Sequence, residues 1–154
     1  MAKVSPIPAN YAGVNPYLTI KDAAGAIEFY QKAFNAELIS RMAMPDGTVM
    51  HAEMRIGAAL FMLSEQSDQW CNKSPDMLGD SPVTLMVYVE DVDAVVKQAV
   101  AAGGKLTMEV ADQFYGDRSG SLVDPFGHRW MLSTHIEDVT DDEIARRAAE
   151  MFGQ

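Results

Sequence analysis

Hydrophobic and polar positions alternate or recur along this chain in a way that predicts a set of elements occurring twice. Apolar residues alternate with polar ones at residues 17–20, as in a half-buried strand. After Asp22 they recur every three or four positions up to Phe34, as in an amphipathic helix capped by its aspartate. Three further strands are predicted, separated by turn residues, at 38–44, 49–56 and 59–64.

The same order of elements returns in the second half of the chain. A strand is predicted at 83–89, Asp91 caps a helix that stops at Gly103-Gly104, and strands follow at 105–110, 121–124 and 129–134. Phe61-Met62-Leu63-Ser64 recurs as Trp130-Met131-Leu132-Ser133 after 69 residues, and Asp22 recurs as Asp91 at the same spacing. One spacing at both ends of a segment predicts two copies of one supersecondary unit that pair with each other.

These elements predict an α+β fold of two paired βαβββ modules forming a sheet-lined cleft, plus a C-terminal helix. Module one covers about 13–64 and module two about 83–135, and the polar segment 65–82 is predicted to be a linker. Thr140-Asp141-Asp142-Glu143 is a capping box for the last helix, at about 140–152. The whole chain, 1–154, is predicted to be a single domain.

The composition of the chain argues against two classes of binding partner, nucleic acids and membranes. The net charge is −10, whereas binding to a phosphate backbone requires clustered cations, so no nucleic-acid partner is expected. Cys71 is the only cysteine, which excludes an intrachain disulfide and fits a cytoplasmic, reducing compartment. No apolar run approaches the roughly 18 residues of a membrane-spanning helix, so no membrane partner is expected.

Three features together resemble the vicinal oxygen chelate superfamily, which includes glyoxalase I, extradiol dioxygenases, fosfomycin-resistance transferases and bleomycin-resistance proteins. They are the paired modules, the Asp22…Phe29-Tyr30 pattern, and the turn Asp124-Pro125-Phe126-Gly127-His128-Arg129 before the last strand. The resemblance covers about 13–135 and extends to a glyoxalase-like group that contains phosphonate-operon-B-type sequences. It implies a cleft that holds a small molecule and a homodimer, which would also cover exposed strand edges.

In metal-dependent members the resemblance also implies a divalent ion, held by ligands from the first and last strands of the modules. Typical ligands are His and Glu or Gln. In this chain the four positions carry Asn15, Met62, Thr84 and Met131. A thioether is a poor ligand for the ions these proteins use, so the site is predicted to be degenerate and no metal cofactor is expected.

Strand parity predicts further residues of the cleft, because alternate side chains share one face of a sheet. The residues assigned to ligand binding on this basis are Asn15, Tyr17, His51, Met62, Thr84, Met86, Tyr88 and Met131. Tyr115 and Arg118 are candidates to close over a planar ligand by stacking and a charged hydrogen bond. His51 and Glu53 are the candidates for an acid–base pair, whereas His128 and His135 are expected to be structural.

Two functions remain open from the sequence. One is metal-free binding of a small apolar or aromatic molecule in a cleft rich in methionine and aromatic side chains, as in the bleomycin-resistance branch. The alternative is a superfamily enzyme of lyase, isomerase or dioxygenase type that uses His51 and Glu53, with or without a divalent metal.

Overall fold

The computed structural model describes residues 5–11 and 13–153 and contains two four-stranded mixed sheets, each packed against a helix. The chain divides into two compact units, one ending at Asp80 and the other beginning at Ser81. Each unit contains one βαβββ module, which confirms the α+β class and the C-terminal helix. The association of the two modules into a single domain stays a prediction.

The first unit contains four strands and two helices. They are β1 (Tyr17–Ile20), α1 (Ala23–Phe34), β2 (Glu37–Ala43), β3 (Val49–Ile56), β4 (Ala59–Glu65) and α2 (Pro75–Leu78). The strand order is β1-β4-β3-β2, with β1 parallel to β4 and the other pairs antiparallel.

The second unit repeats this plan and adds the C-terminal helix. Its elements are β5 (Thr84–Tyr88), α3 (Val92–Ala101), β6 (Lys105–Asp112), β7 (Asp117–Val123), β8 (Arg129–His135) and α4 (Asp141–Phe152). The order is β5-β8-β7-β6. Tyr17 lies opposite Met62 in the first sheet and Met86 opposite Met131 in the second, so strand register preserves the 69-residue spacing.

Each sheet has a face that packs on its helix, here called the helix face, and an opposite face, here called the open face. On the first sheet the buried side chains of the helix face come from alternate positions: Leu18, Ile20, Ala52, Met54, Phe61 and Leu63. Tyr30 of α1 is fully buried against them, with its ring 5.6 Å from that of Phe61 in an edge-to-face arrangement. The parity predicted from the sequence is therefore confirmed for this sheet.

The second unit has the same core arrangement. Leu122, Trp130 and Leu132 are buried on the helix face, and Val92 and Val96 are buried on α3. The buried Asp124 carboxylate holds the preceding turn, because it accepts hydrogen bonds from the backbone N–H groups of Phe126 and His128 and from the Trp130 indole, each at 2.9 Å.

Equivalent positions of the two modules hold the N-terminus of each long helix to the last strand. The Glu65 carboxylate accepts hydrogen bonds from the backbone N–H groups of Asp22 and Ala23, both at 2.8 Å. Thr134, which lies 69 residues later, accepts from the N–H of Val92 and donates to the carbonyl of Val89, both at 2.9 Å. Both side chains satisfy N–H groups that have no partner within the helix.

Two elements differ from the sequence expectation. β7 begins at Asp117 rather than at residue 121, because its polar residues pair with other strands of the sheet: Ser119 shares a hydrogen bond with Ser133 at 2.8 Å. Gly120 fits this strand because a Cβ there would lie 2.8 Å from Val110. The segment predicted to be a linker contains the short helix α2, which Ser74 caps.

None of the helices in the described part of the chain is both long and apolar enough to cross a membrane.

Replacing Glu65 by Gln tests the tie between β4 and α1. Gln keeps the shape but supplies only one acceptor oxygen for two helix N–H groups, so we expect the free energy of unfolding to fall by about 1–3 kcal/mol. Urea denaturation followed by circular dichroism measures this change. Glu28→Gln is the matched control, since Glu28 is exposed on α1 and should leave the midpoint almost unchanged. Equal midpoints for wild type and Glu65→Gln would show that this contact does not stabilise the fold.

Candidate functional site

Three polar side chains form a hydrogen-bonded chain on the open face of the first sheet. The Tyr17 hydroxyl lies 2.8 Å from Nδ1 of His51, and Nε2 of His51 lies 3.4 Å from Oε1 of Glu53. The exposed fractions of the His51 and Glu53 side chains are 27% and 25%, whereas Tyr17 as a residue is 51% exposed. The hydroxyl of Tyr17 is therefore the outward end of this chain, which we call the Tyr17–His51–Glu53 chain.

Strand register explains why these residues meet. Glu53 on β3 and Tyr17 on β1 both lie opposite Met62 of β4, the strand between them. His51 lies two residues from Glu53 on the same strand and therefore on the same face. The apolar residues between them in sequence occupy the helix face, so burial of the core directs all three polar side chains to the open face.

For a neutral His51 ring, the hydrogen-bond pattern selects one of the two tautomers. An ionised carboxylate only accepts hydrogen bonds, so the ring hydrogen lies on Nε2 toward Glu53, and Nδ1 accepts from the Tyr17 hydroxyl. The pKa of Glu53 lies below its ordinary value because the Tyr11 hydroxyl, and after it His51 and Ser40, favour the charged carboxylate, although burial acts in the opposite sense. The chain therefore has a negative charge at its inner end.

Tyr11 approaches Glu53 from the segment that precedes β1. Hydrogen bonding to Glu53, then burial and the negative charge of Glu53, raise the pKa of Tyr11 to about 12. The Tyr11 hydroxyl is nevertheless buried with no partner at hydrogen-bond geometry among the described residues. The interaction with Glu53 nevertheless dominates the ionisation of both groups, so the Tyr11 hydroxyl is directed to Glu53 and is not a free donor.

Ser64 has a buried hydroxyl with unused hydrogen-bonding capacity. It is 4% exposed, and its Oγ atom has no hydrogen-bond partner among the described residues. Continuing the antiparallel register of β3 and β4 by one step places Ser64 opposite His51. At the equivalent place of the second sheet, Ser133 shares a hydrogen bond with Ser119. Ser64 has no such neighbour because the residue opposite it is His51, whose ring bonds to Tyr17 and Glu53.

Methionine side chains surround the polar chain. Met62 lies between Tyr17 and Glu53 in the sheet, and Met42 of β2 lies opposite His51. Met42 is 59% exposed, which is a large apolar exposure for a residue on a sheet face. Sites that bind small molecules typically combine a few polar groups with apolar and aromatic side chains, and this face has such a composition.

Asn15 makes its hydrogen bond outside the Tyr17–His51–Glu53 chain. Its side-chain amide donates to the carbonyl of Gly13 at 3.3 Å. It lines a cavity of about 620 Å³ together with Ile39, Arg55 and Leu60. The Arg55 guanidinium in this cavity already pairs with Glu37.

The open face of the second sheet carries a polar network that the sequence analysis missed. The Tyr88 hydroxyl donates to Asp117 at 2.6 Å, and Nδ1 of His135 lies 2.9 Å from the other Asp117 oxygen. Nε2 of His135 lies 3.0 Å from Asp138. Asp117 is 4% exposed, so a buried carboxylate joins β5, β7 and β8. The alternation of Asp117 with Ser119 and Ser121 is the one signal in the sequence that could have placed the Asp117 side chain on this face.

The groups of this second network shift one another's pKa values. Burial of Asp117 favours the neutral carboxyl, but the Tyr88 hydroxyl and His135 outweigh this effect and hold the pKa of Asp117 below its ordinary value. The carboxylates of Asp138 and Asp117 raise the pKa of His135. Hydrogen bonding to Asp117 raises the pKa of Tyr88. Both ring nitrogens of His135 lie within hydrogen-bond distance of a carboxylate, so the ring is held between Asp117 and Asp138.

Arg118 and Tyr115 are both predicted to close over a ligand, but they make different contacts in the structure. Arg118 lies opposite Thr134 on the helix face and pairs with Asp93 of α3 and with Asp112. Both acidic partners hold the Arg118 guanidinium on the helix face, and its predicted contact with a planar ligand stays a prediction. The ring of Tyr115 packs edge-to-face on Phe114 at 5.2 Å, and Phe114 in turn packs on Phe152 of α4.

The remaining predicted residues of the second sheet lie on its open face. Thr84, Met86, Tyr88 and Met131 share this face by register. Met86 is 47% exposed and Tyr88 59% exposed. The structure thus brings together two sets of predicted residues, one on each sheet.

The four positions that the family resemblance assigns to metal ligands do not fit a divalent ion. They present two thioethers, one amide and one hydroxyl, and the Asn15 amide hydrogen already bonds to a backbone carbonyl. Within residues 5–11 and 13–153, no three His, Cys, Asp or Glu side chains are grouped closely enough to hold an ion. His51 and Glu53 alone supply too few ligands for a tight site.

Comparisons with known proteins agree with this fold. A family model described as "Glyoxalase/Bleomycin resistance protein/Dioxygenase superfamily" matches residues 11–132. A protein of Mycobacterium bovis described as uncharacterized is 42% identical over 134 residues, which are 85% of this chain and 88% of the relative.

Two solved structures illustrate the similarity of fold. TioX from Micromonospora sp. ML1 has a TM-score of 0.65 at 23% identity and covers 80% of this chain and 100% of its own. A variant of the fosfomycin resistance protein FosX from Listeria monocytogenes, complexed with Mn(II) and a dihydroxypropylphosphonic acid, has a TM-score of 0.60 at 20% identity. It covers 88% of this chain and 98% of its own.

Metal analysis tests the fit of the four family positions. We expect the protein to purify without stoichiometric Ni, Zn, Fe or Mn, because thioether, amide and hydroxyl groups bind these ions weakly. Adding each ion should not raise the melting temperature appreciably, whereas an ion at about 100 times its Kd would add about 2.7 kcal/mol of stability. About one metal per chain in elemental analysis would contradict this expectation.

The His135 contacts predict a pH-dependent contribution to stability. The folded pKa of His135 is raised above the ordinary value of 6.5, so its contribution is complete below that value and is lost as pH rises through the folded pKa. We expect the difference in unfolding free energy between wild type and His135→Gln to be largest at about pH 5.5 and to shrink toward about pH 9. Asp138→Asn should show a smaller change of the same sign, and a pH-independent difference would refute the assignment.

Proposed function

The chain belongs to the glyoxalase/bleomycin resistance protein/dioxygenase superfamily, and on this premise we propose that it binds a small apolar or aromatic organic molecule. The site is the open face of the first sheet, around the Tyr17–His51–Glu53 chain. Binding uses no divalent metal at the four family positions. Proteins of this fold share architecture rather than one reaction, so the proposal depends on the residues of the face.

The observation that carries this proposal is a hydrogen-bonded polar chain beside the buried hydroxyl of Ser64, which has no hydrogen-bond partner among the described residues. Leaving a buried polar group without a partner costs about 1–3 kcal/mol. Ser64, which faces His51 by register, has this property. A bound molecule that supplies an acceptor or donor would recover this free energy.

Apolar exposure on the same face supports a hydrophobic ligand. Tyr17 and Met42 are 51% and 59% exposed, and Met62 lies between the two polar ends of the chain. Flexible thioethers adapt to ligands of different shape and pack well against aromatic rings. These features support binding of a planar or aromatic molecule over binding of a sugar or a nucleotide.

The open face of the second sheet is included in the proposal as a ligand-binding surface of the same type. Met86, Tyr88 and Met131 occupy it, and Met131 is the repeat equivalent of Met62. Thr84 and Asn15 extend the two surfaces, and Tyr115 lies near Tyr88. The alternative, a superfamily enzyme using His51 and Glu53 as acid and base, stays a prediction from the sequence.

We propose further that the protein acts as a homodimer in the cytoplasm. Open strand edges at β2 and β6 and the exposed apolar side chains of the open faces support association, because such surfaces are commonly covered in soluble proteins. A single free cysteine supports a reducing compartment.

A ligand screen followed by charge insertion tests the binding proposal. Compounds found by thermal shift are titrated against wild type, Met62→Glu and Met131→Glu. A carboxylate at position 62 would stand beside Glu53 and lose hydration when a ligand binds, so we expect affinity to fall about tenfold or more. For a compound that binds the open face of the second sheet, Met131→Glu should weaken binding in the same way, because it places a charge beside Met86.

Met151→Glu is the matched control, since Met151 is 59% exposed on α4 and lies on neither sheet. It should leave affinity unchanged. Circular dichroism confirms that each variant is folded. Full affinity in Met62→Glu would show that the ligand does not use the open face of the first sheet.

A further inference from the structure

The Tyr17–His51–Glu53 chain has the order of a proton relay. A hydroxyl at the surface donates to an imidazole, and the imidazole donates to a carboxylate, with heavy-atom distances of 2.8 and 3.4 Å. The same order of hydroxyl, base and orienting acid activates hydroxyl groups in many enzymes. Here the hydroxyl is phenolic and belongs to the most exposed member of the chain.

His51 is the group in this chain that can gain a proton. Glu53 is held ionised by Tyr11, His51 and Ser40, so a proton arriving at His51 would form an imidazolium beside a negative charge. The titratable groups around His51 in the first unit are Tyr17 on β1, Glu53 on β3 and Tyr11 before β1. Arg55, the next residue on this face of β3, is paired with Glu37.

A buried hydroxyl on this face is available as a donor for a newly formed anionic oxygen. An oxyanion removed from water is stabilised by donated hydrogen bonds, and charge-assisted bonds of this kind are roughly twice as strong as neutral ones. Ser64 has a buried hydroxyl without a hydrogen-bond partner among the described residues, whereas the Tyr11 hydroxyl interacts with Glu53. Ser64 shares the open face with Met62 and faces His51 by register.

The net charge of the protein disfavours binding of one protonation state of such a ligand. The chain carries −10, and Glu53 adds a local negative charge, so a ligand that is already anionic in solution is repelled. A neutral acid brings no charge to the site. If its proton stays on His51, the site gains a separated pair of charges without any change in total charge.

We infer that the ligand of this site is a phenol, an aromatic molecule with a weakly acidic hydroxyl, and that its proton passes through Tyr17 to His51 on binding. The inference rests on the proposed function and names its ligand class. The aromatic body lies against Met42 and Met62, and the hydroxyl meets the outer end of the relay at Tyr17.

The transfer balances without any other reactant. The ligand O–H bond breaks and its proton bonds to Oη of Tyr17, while the original Tyr17 proton moves to Nδ1 of His51. The ligand becomes a phenolate that accepts from the Tyr17 hydroxyl. His51 becomes an imidazolium that donates to Tyr17 and, through Nε2, to Glu53. No proton is released to solvent.

A pair of probes that differ only in the acidic hydrogen tests this inference: para-nitrophenol and its methyl ether, para-nitroanisole. We expect wild type to bind the phenol about tenfold or more tightly than the ether, the equivalent of about 1.4 kcal/mol or more. The absorbance of bound para-nitrophenol should be that of the phenolate at a pH where the free probe is mostly protonated. Calorimetry in two buffers of different ionisation enthalpy should give equal binding heats, because the proton stays on the protein.

Tyr17→Phe and His51→Gln each interrupt the relay and should bring the affinities for the two probes to about the same value. Glu28→Gln, an exposed substitution on α1, should keep the wild-type preference. Circular dichroism shows whether each variant is folded, and Tyr17→Phe removes a single exposed hydroxyl oxygen from the sheet surface. A preference for the phenol that survives in both folded variants would overturn the inference.

Other outcomes distinguish the inference from the function on which it rests. Two outcomes overturn the inference and leave the proposed function standing. In the first, wild type binds the phenol and the ether equally. In the second, it binds neither probe, while the screen finds other ligands whose binding is sensitive to Met62→Glu. A bound probe that stays protonated, or a proton released to buffer, also overturns the inference. A screen without any ligand sensitive to Met62→Glu overturns the proposed function itself.

Discussion

The period-two alternation of side chains along β3 and β4 is the constraint on which both the core and the candidate site depend. Ala52, Met54 and Leu63 must face α1 to be buried. Because neighbouring side chains of a strand point to opposite faces, this requirement places His51 and Glu53 on the open face beside Met62 and Ser64. A slip of one residue would expose the core and bury the polar chain, so the apolar residues fix the site as strictly as they fix the fold.

A comparison of the two modules shows which features of the βαβββ unit are shared by both copies and which differ between them. Glu65 and Thr134 occupy equivalent positions and hold the first turn of a helix in different chemical ways, one with a carboxylate and the other with a hydroxyl. Ser133 is satisfied by Ser119, whereas Ser64 faces His51 and keeps a free hydrogen-bonding capacity. The open face of the second sheet carries the buried Asp117 with Tyr88 and His135, whereas that of the first carries the Tyr17–His51–Glu53 chain. The same scaffold thus carries one self-satisfied polar network and one that is incomplete.

Much of the fold could be predicted from the sequence because its elements have strong local signals. Asp22 and Asp91 mark helix starts, the 69-residue repeat indicates two copies, and alternation in β1 and β4 separates the faces correctly. The early start of β7 could not be predicted, since its residues are polar and are stabilised by partners distant in sequence. The role of Tyr11 and the helix-face position of Arg118 depend on tertiary contacts with Glu53 and Asp93 that no local pattern contains.

The central claim is that the open face of the first sheet binds a small molecule around His51. The most direct test is an NMR titration with a ligand from the screen, observing the ring signals of His51 and the methyl groups of Met42 and Met62. The account predicts that these signals shift together and saturate at one Kd, while the methyl group of Met151 on α4 stays unchanged. Saturable binding that moves other signals and leaves His51, Met42 and Met62 unaffected would contradict it.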